Sequence, residues 1–173
     1  MTARFSPFRI APEGVRPVAS PARPAVSAVR AGRGEPVQPF ASLESCMSAS
    51  VEIVSFGYLH DAPPAAHLTI DLRHHFRDPH VAPELRYMTA DDAPVRTAVL
   101  NTPGIPDLVA ATARAVAAFA SGPSGGPVVV ADGCAGGRHR APTFARALAA
   151  CLRATGHTVT VSHRDMGKDF VQR

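Results

Sequence analysis

The sequence predicts an α/β fold, a three-layer sandwich built on a mostly parallel sheet. Three observations carry that expectation. The β-branched run Val128–Val130 meets a glycine-rich loop, a helical pattern follows, and a second β-branched run covers Thr158–Val161, which together describe a βαβ unit. Upstream, Val51–Phe56 alternates apolar and polar residues, and Leu68–Leu72 is a short apolar run, so both read as further strands. Finally, 173 residues at 46% hydrophobic suit one domain with a sizeable core.

Residues 1–48 precede that domain. They are rich in proline, alanine, arginine and serine with little apolar periodicity, a composition that cannot offset the entropy of ordering. A disordered tail is expected over 1–48 and a folded domain over 49–173, with a basic arm and a native start at Met47 as alternatives. Six arginines against three glutamates put +3 of the chain's formal +4 in the first fifty residues, so net charge says little about the domain's partners. No apolar run approaches the roughly 20 residues that span a bilayer, and no secretory h-region opens the chain. Cys46, Cys134 and Cys151 make no disulfide framework, and a cytoplasmic protein without a membrane partner is expected.

Between the first two strands, Pro63-Pro64 marks Asp61–Ala66 as a loop. After the second strand comes D-L-R-H-H-F-R-D-P-H (Asp71–His80), at the strand edge where open α/β sheets bind ligands. His74, His75, His80, Asp71 and Asp78 could ligate a metal, but no H-E-x-x-H or paired C-x-x-C accompanies them, so no metal and no cofactor is expected. Pro83–Tyr87 suggests a helical turn and Val95–Leu100 a short helix. Ile105–Ala120 reads as a longer helix facing the sheet with Leu108, Thr112, Ala115, Val116 and Phe119, and Ser121–Pro127 as the connection to the central strand. The last helix carries Pro142 early, buries Phe144, Leu148, Cys151, Leu152 and Thr155, and stops at Gly156. His163 and Arg164 close the final strand.

Chemistry belongs in the loop. Gly133, Gly136 and Gly137 allow positive φ and close approach, successive N–H groups can converge on an anion, and the following helix aims its positive end there. Arg138, His139 and Arg140 add donors, and Arg140 could fork onto phosphate. The alternative is an ordinary tight βα turn. No G-x-x-x-x-G-K-[ST] or G-x-G-x-x-G occurs, and the only lysine is Lys168, so two familiar nucleotide loops are excluded.

The motifs G-C-A-G-G-R-H-R-A (Gly133–Ala141), D-L-R (Asp71–Arg73), D-P-H (Asp78–His80), P-E-L-R (Pro83–Arg86), D-D-A-P-V (Asp91–Val95) and S-H-R (Ser162–Arg164) recur in one order. Through them the chain resembles the C-terminal domain of the RNase adapter RapZ over about Val51–Lys168, in a standalone version without that family's N-terminal P-loop kinase-like domain. The resemblance implies a fold like a phosphofructokinase half and a regulatory domain that senses glucosamine-6-phosphate, with RNA as a further partner and homo-oligomers open. It assigns the sugar-phosphate site to Asp71, Arg73, His80, Cys134, Ala135, Gly136, His139 and Arg140, beside Gly137 and Arg138 from the loop itself. Ala135 stands where the family usually has threonine, and the basic tail is reduced to Lys168 and Arg173. The rival reading is an enzyme. Cys134-x5-Arg140 has the spacing of cysteine-dependent phosphatases, with Asp71 or Asp92 as general acid, although Gly133 and Ala141 replace that class's usual histidine and hydroxyl residue.

Overall fold

The computed structural model describes residues 48–169, and the expected tail up to Met47 lies outside them. Four strands, β1 (Ser50–Gly57), β2 (Leu68–Asp71), β3 (Val128–Cys134) and β4 (Thr158–His163), form a sheet in the order β2-β3-β1-β4. Every pairing is parallel, with Val51 opposite Val128 and Val159, and Leu68 opposite Val130. Three helices complete it: α1 (Ala93–Leu100), α2 (Ile105–Ala120) and α3 (Arg140–Ala154). The result is an α/β fold with an all-parallel sheet, consistent with a three-layer sandwich.

Handedness explains how the layers are distributed. The path from β2 through α1 and α2 to β3, and from β3 through α3 to β4, steps one way across the sheet; β1 to β2 steps the other way. Right-handed crossovers therefore put the helices on one face and the Tyr58–His67 connection on the other. The helical face holds the core, where Val51, Ile53, Val128 and Val130 meet Val95, Val99, Val116, Phe144, Leu148 and Leu152. On the opposite face Phe56 and Ala131 are buried, Phe56 packing edge-on against Tyr58 with Arg164 over its ring. Glu52, Thr160 and Ser162 on that face are exposed, as a ten-residue connection without a helix cannot cover the whole sheet.

Local boundaries shift for identifiable reasons. Helix α1 starts at Ala93 because Pro94 fits its first turn, where no N–H is needed. Pro83–Tyr87 makes hydrogen-bonded turns as expected, and a 3-10 turn at Pro79–Val81 precedes them. The α2 stripe is Ile105, Val109, Thr112 and Val116, while Phe119 is 47% exposed and tilts against His67. On α3, Phe144, Leu148 and Leu152 are buried, Cys151 is half-buried and Thr155 is exposed. Gly156 ends it with φ +88°. Strand β3 runs through Asp132, Gly133 and Cys134, so the loop before α3 is only residues 135–139.

Candidate anion-binding loop at the carboxyl edge

Strands β1 and β3 end side by side, with Gly57 opposite Cys134. Their backbones stay paired beyond the sheet: Tyr58 N donates to Cys134 O and Leu59 N to Ala135 O, both at 3.0 Å. The loop then crosses β1 so closely that a Cβ on Gly57 would sit 2.7 Å from the Gly136 carbonyl carbon. Gly137, at φ +70°, meets the same crossing from the other side, where a Cβ would fall 2.8 Å from Gly57 N. Backbone cannot yield there, so both positions require glycine. Gly133 and Gly136 do not take the positive φ expected of them.

A carboxylate locks the crossing. Asp165, fully buried, accepts Gly57 N–H at 2.8 Å and Arg164 Nε at 3.0 Å on one oxygen, while Lys168 Nζ lies 2.6 Å from the other. Burial pushes its carboxyl up, but Lys168, the Gly57 N–H and Arg164 outweigh that and leave its pKa lowered. Arg138 adds a second tie, donating to Lys168 O at 3.2 Å and Tyr87 O at 3.4 Å. Sequence reading passed over Asp165. Its only signal is its place just after S-H-R at the end of β4.

The loop and the Asp71–His80 segment meet as expected. Leu72 N donates to Gly133 O at 2.8 Å. Arg140 is 3% exposed, and its fork serves the segment's own groups: Nη1 donates to Leu72 O and Phe76 O at 2.8 Å, and Nη2 to Asp78 Oδ2 at 2.6 Å. The same Asp78 carboxylate lies 3.7 Å from His139 Nδ1, and His139 Nε2 donates to Met88 O at 2.8 Å. Arg140 and His139 thus hold the segment against the loop. Asp71 and Arg73 stand at the rim, each about a third exposed and paired at 2.6 Å, with Arg73 stacked 3.5 Å over the Tyr58 ring. The Arg73 hydrogen bonds hold the Asp71 carboxyl below its ordinary range. His80 belongs to the 3-10 turn, and its side chain lies outside the description.

Helix α3 starts at Arg140 with no side chain capping it. The Gly137 and Ala141 N–H groups turn inward to the Cys134 sulfur. Burial pushes the Cys134 thiol up more than those bonds and the Arg140 charge pull it down. Gly136 faces outward: a Cβ there would have nothing within 4 Å. The loop is open to solvent at Gly136, beside Arg138 and just ahead of a helix start that no side chain caps, a setting that favours an anion.

Sequence reading also missed a second polar cluster on α3. Arg146 donates to Ala90 O at 2.6 Å and Asp91 Oδ1, and reaches His163 Nε2 at 3.4 Å, while His163 Nδ1 pairs with Ser55 Oγ at 2.8 Å. Burial and the Arg146 charge lower the His163 pKa, and the Arg146 hydrogen bond lowers that of Asp91. Asp92, the other acid weighed for a phosphatase, accepts Thr89 N–H at the start of α1. No group of three or more histidine, cysteine or acidic residues that could hold a metal occurs among the described residues, and none of their helices could cross a membrane.

Residues 49–167 match the family model of the RapZ C-terminal domain. Among curated relatives, a nucleotide-binding protein of Thermobifida fusca is 38% identical over 120 residues, covering 68% of this chain and 40% of the relative. One of Salinispora tropica is 37% identical over 129 residues, 73% of this chain and 42% of the relative. One of Bifidobacterium adolescentis is 38% identical over 124 residues, 70% and 40% respectively. The chain spans about two fifths of the length of these relatives.

Proposed function

The chain belongs to the RapZ C-terminal domain family, and on that premise we propose that it is a binding domain for a phosphorylated small molecule, an amino-sugar phosphate such as glucosamine-6-phosphate. The observation that carries the reading is the uncapped start of α3 behind the open space at Gly136. With the Gly137 and Ala141 N–H groups turned to the Cys134 sulfur and none at Pro142, donors to phosphate oxygens would come from the remaining backbone of residues 136–140, at no cost in side-chain entropy. Asp71 and Arg73, paired and about a third exposed, suit the sugar's amine and hydroxyls. Arg140 acts behind the loop, contributing its charge while it holds the Asp71–Asp78 segment in place.

A phosphatase reading finds less support. A nucleophilic cysteine must be a thiolate, and Cys134 is 3% exposed with its thiol pushed up by burial. Arg140, which should clamp the phosphoryl oxygens, is committed to carbonyls and Asp78. The nucleotide in the relatives' name belongs to proteins that this chain matches over two fifths of their length. An RNA-adapter role rests on family likeness, and a gel shift that fades steeply with rising salt would carry it.

Calorimetric titration tests the proposal. Glucosamine-6-phosphate should bind and glucosamine should bind far less. Gly136→Val, which points a side chain into the open space without a clash, should abolish binding while leaving the melting temperature close to wild type. Equal affinity for the two sugars, or an unaffected variant, would remove the phosphate from this loop.

A further inference from the structure

A cavity of about 250 Å³ opens between the 77–85 segment and α1, and no glycine-loop residue lines it. Pro79, Ala82, Leu85 and Ala98 give it apolar walls, and Arg77, Asp78 and Thr102 give it polar ones. The small side chains of Ala82 and Ala98 leave room in its walls. The recess opens to solvent, with Arg77 exposed at its edge and Pro79 buried in its wall.

The polar wall is divided. Asp78 has its carboxylate on Arg140 and His139, and Thr102 Oγ1 donates to Ala98 O at 3.0 Å. Arg77 is different: it is exposed and makes no hydrogen bond or ion pair with any described residue. A free guanidinium fork beside an apolar recess is complementary to a planar monoanion on a compact hydrocarbon body. Phosphate fits worse, because a dianion would be set beside the Asp78 carboxylate with nothing to bury.

We infer that this cavity is a second ligand site, for a small organic carboxylate gripped by Arg77 with its apolar body on Pro79, Ala82, Leu85 and Ala98. The inference does not depend on what the glycine loop binds. It does give the two sites a shared part, because Asp78 lines the cavity and also holds Arg140 and His139 behind the loop.

The test is a nuclear magnetic resonance titration of the labelled chain with cyclohexanecarboxylate, using neutral cyclohexanecarboxamide as control. Saturable shifts should appear at the amides of Arg77, Ala82, Ala98 and Thr102 with the acid and be far weaker with the amide. Arg77→Ala, at an exposed position, should weaken binding about tenfold. Ala98→Leu should fill the recess and abolish binding while leaving resonances elsewhere in place. No saturable shift at millimolar acid, equal binding of acid and amide, or shifts at Arg77 with none at Ala98 would each overturn the assignment.

Discussion

Asp165 and Asp132 are both fully buried, and the chain treats them in opposite ways. At the carboxyl edge, where strands have ended, backbone N–H groups are free to turn, and Asp165 gathers Gly57 N–H, Arg164 and Lys168. Within β3, the neighbouring N–H groups are already spent on β1 and β2, and neither Asp132 oxygen has a partner among the described residues. Burial alone pushes the Asp132 carboxyl well above the usual range. The difference teaches that a buried carboxylate keeps its charge only where the ladder has stopped consuming donors.

The largest effect that sharpens this contrast is at Arg140, another buried charge on the well-supplied edge. Arg140→Ala removes a buried charge that donates to three carbonyls and to Asp78, and denaturant unfolding should show a loss of about 3 to 5 kcal/mol. A loss well under 1 kcal/mol would mean that the edge is not organised by its charges.

Asp165→Ala comes next. It orphans the Gly57 N–H at the backbone crossing and should cost about 2 to 3 kcal/mol. The sign with pH follows from its lowered pKa: the stabilisation is present above the ordinary carboxyl value and lost as pH falls through the lower folded-state value. Wild type should therefore lose stability in acid by a route that the variant no longer has. Parallel acid-unfolding curves for the two would break the argument.

Asp132 runs the other way. Its raised pKa makes the folded chain hold a proton that the unfolded chain releases, so stability is full below the ordinary carboxyl value and falls as pH rises toward the raised one. Each pH unit in that window costs about 1.4 kcal/mol. Asp132→Asn should be more stable than wild type at neutral pH, by about 1 kcal/mol or more, and flatter from acid to neutral. Equal urea midpoints at pH 4 and pH 7 for wild type would show that the carboxyl has found a partner after all.

The smallest effect belongs to the exposed rim. Arg73→Ala removes a pair that water already screens, and the melting temperature should not move measurably. Only ligand titration should register it.

Legibility in the sequence follows the same division. The β-branched runs and the glycine loop placed the four strands, because burial on a sheet face demands those residue types regardless of context. The α2 stripe was legible at Thr112 and Val116 but missed Ile105 and Val109 and wrongly included Phe119, since an alanine-rich helix such as I-P-D-L-V-A-A-T-A-R-A-V-A-A-F-A offers two nearly equivalent apolar faces. Loop and Asp71–Asp78 segment could be paired from position alone. Arg140's role could not, because a guanidinium that forks onto phosphate and one that forks onto carbonyls have the same spelling. Asp165 and Arg146 were invisible for a related reason: the contacts that tie them to the rest of the fold, to Gly57 and Asp91, are 108 and 55 residues away, and no local pattern records those.

The bond from Asp165 to Gly57 N also has a consequence in time. A ribosome adds roughly 5 to 20 residues each second, so the carboxylate is made some 5 to 20 seconds after the glycine that it completes, 108 residues earlier. Until β4 and the residues behind it have emerged, the crossing of β1 and the loop has no lock, and the open space at Gly136 has no fixed wall. Nascent chains stalled before residue 165 should hold the strands' sequences without the locked crossing of β1 and the loop, leaving that crossing among the last features of the domain to appear.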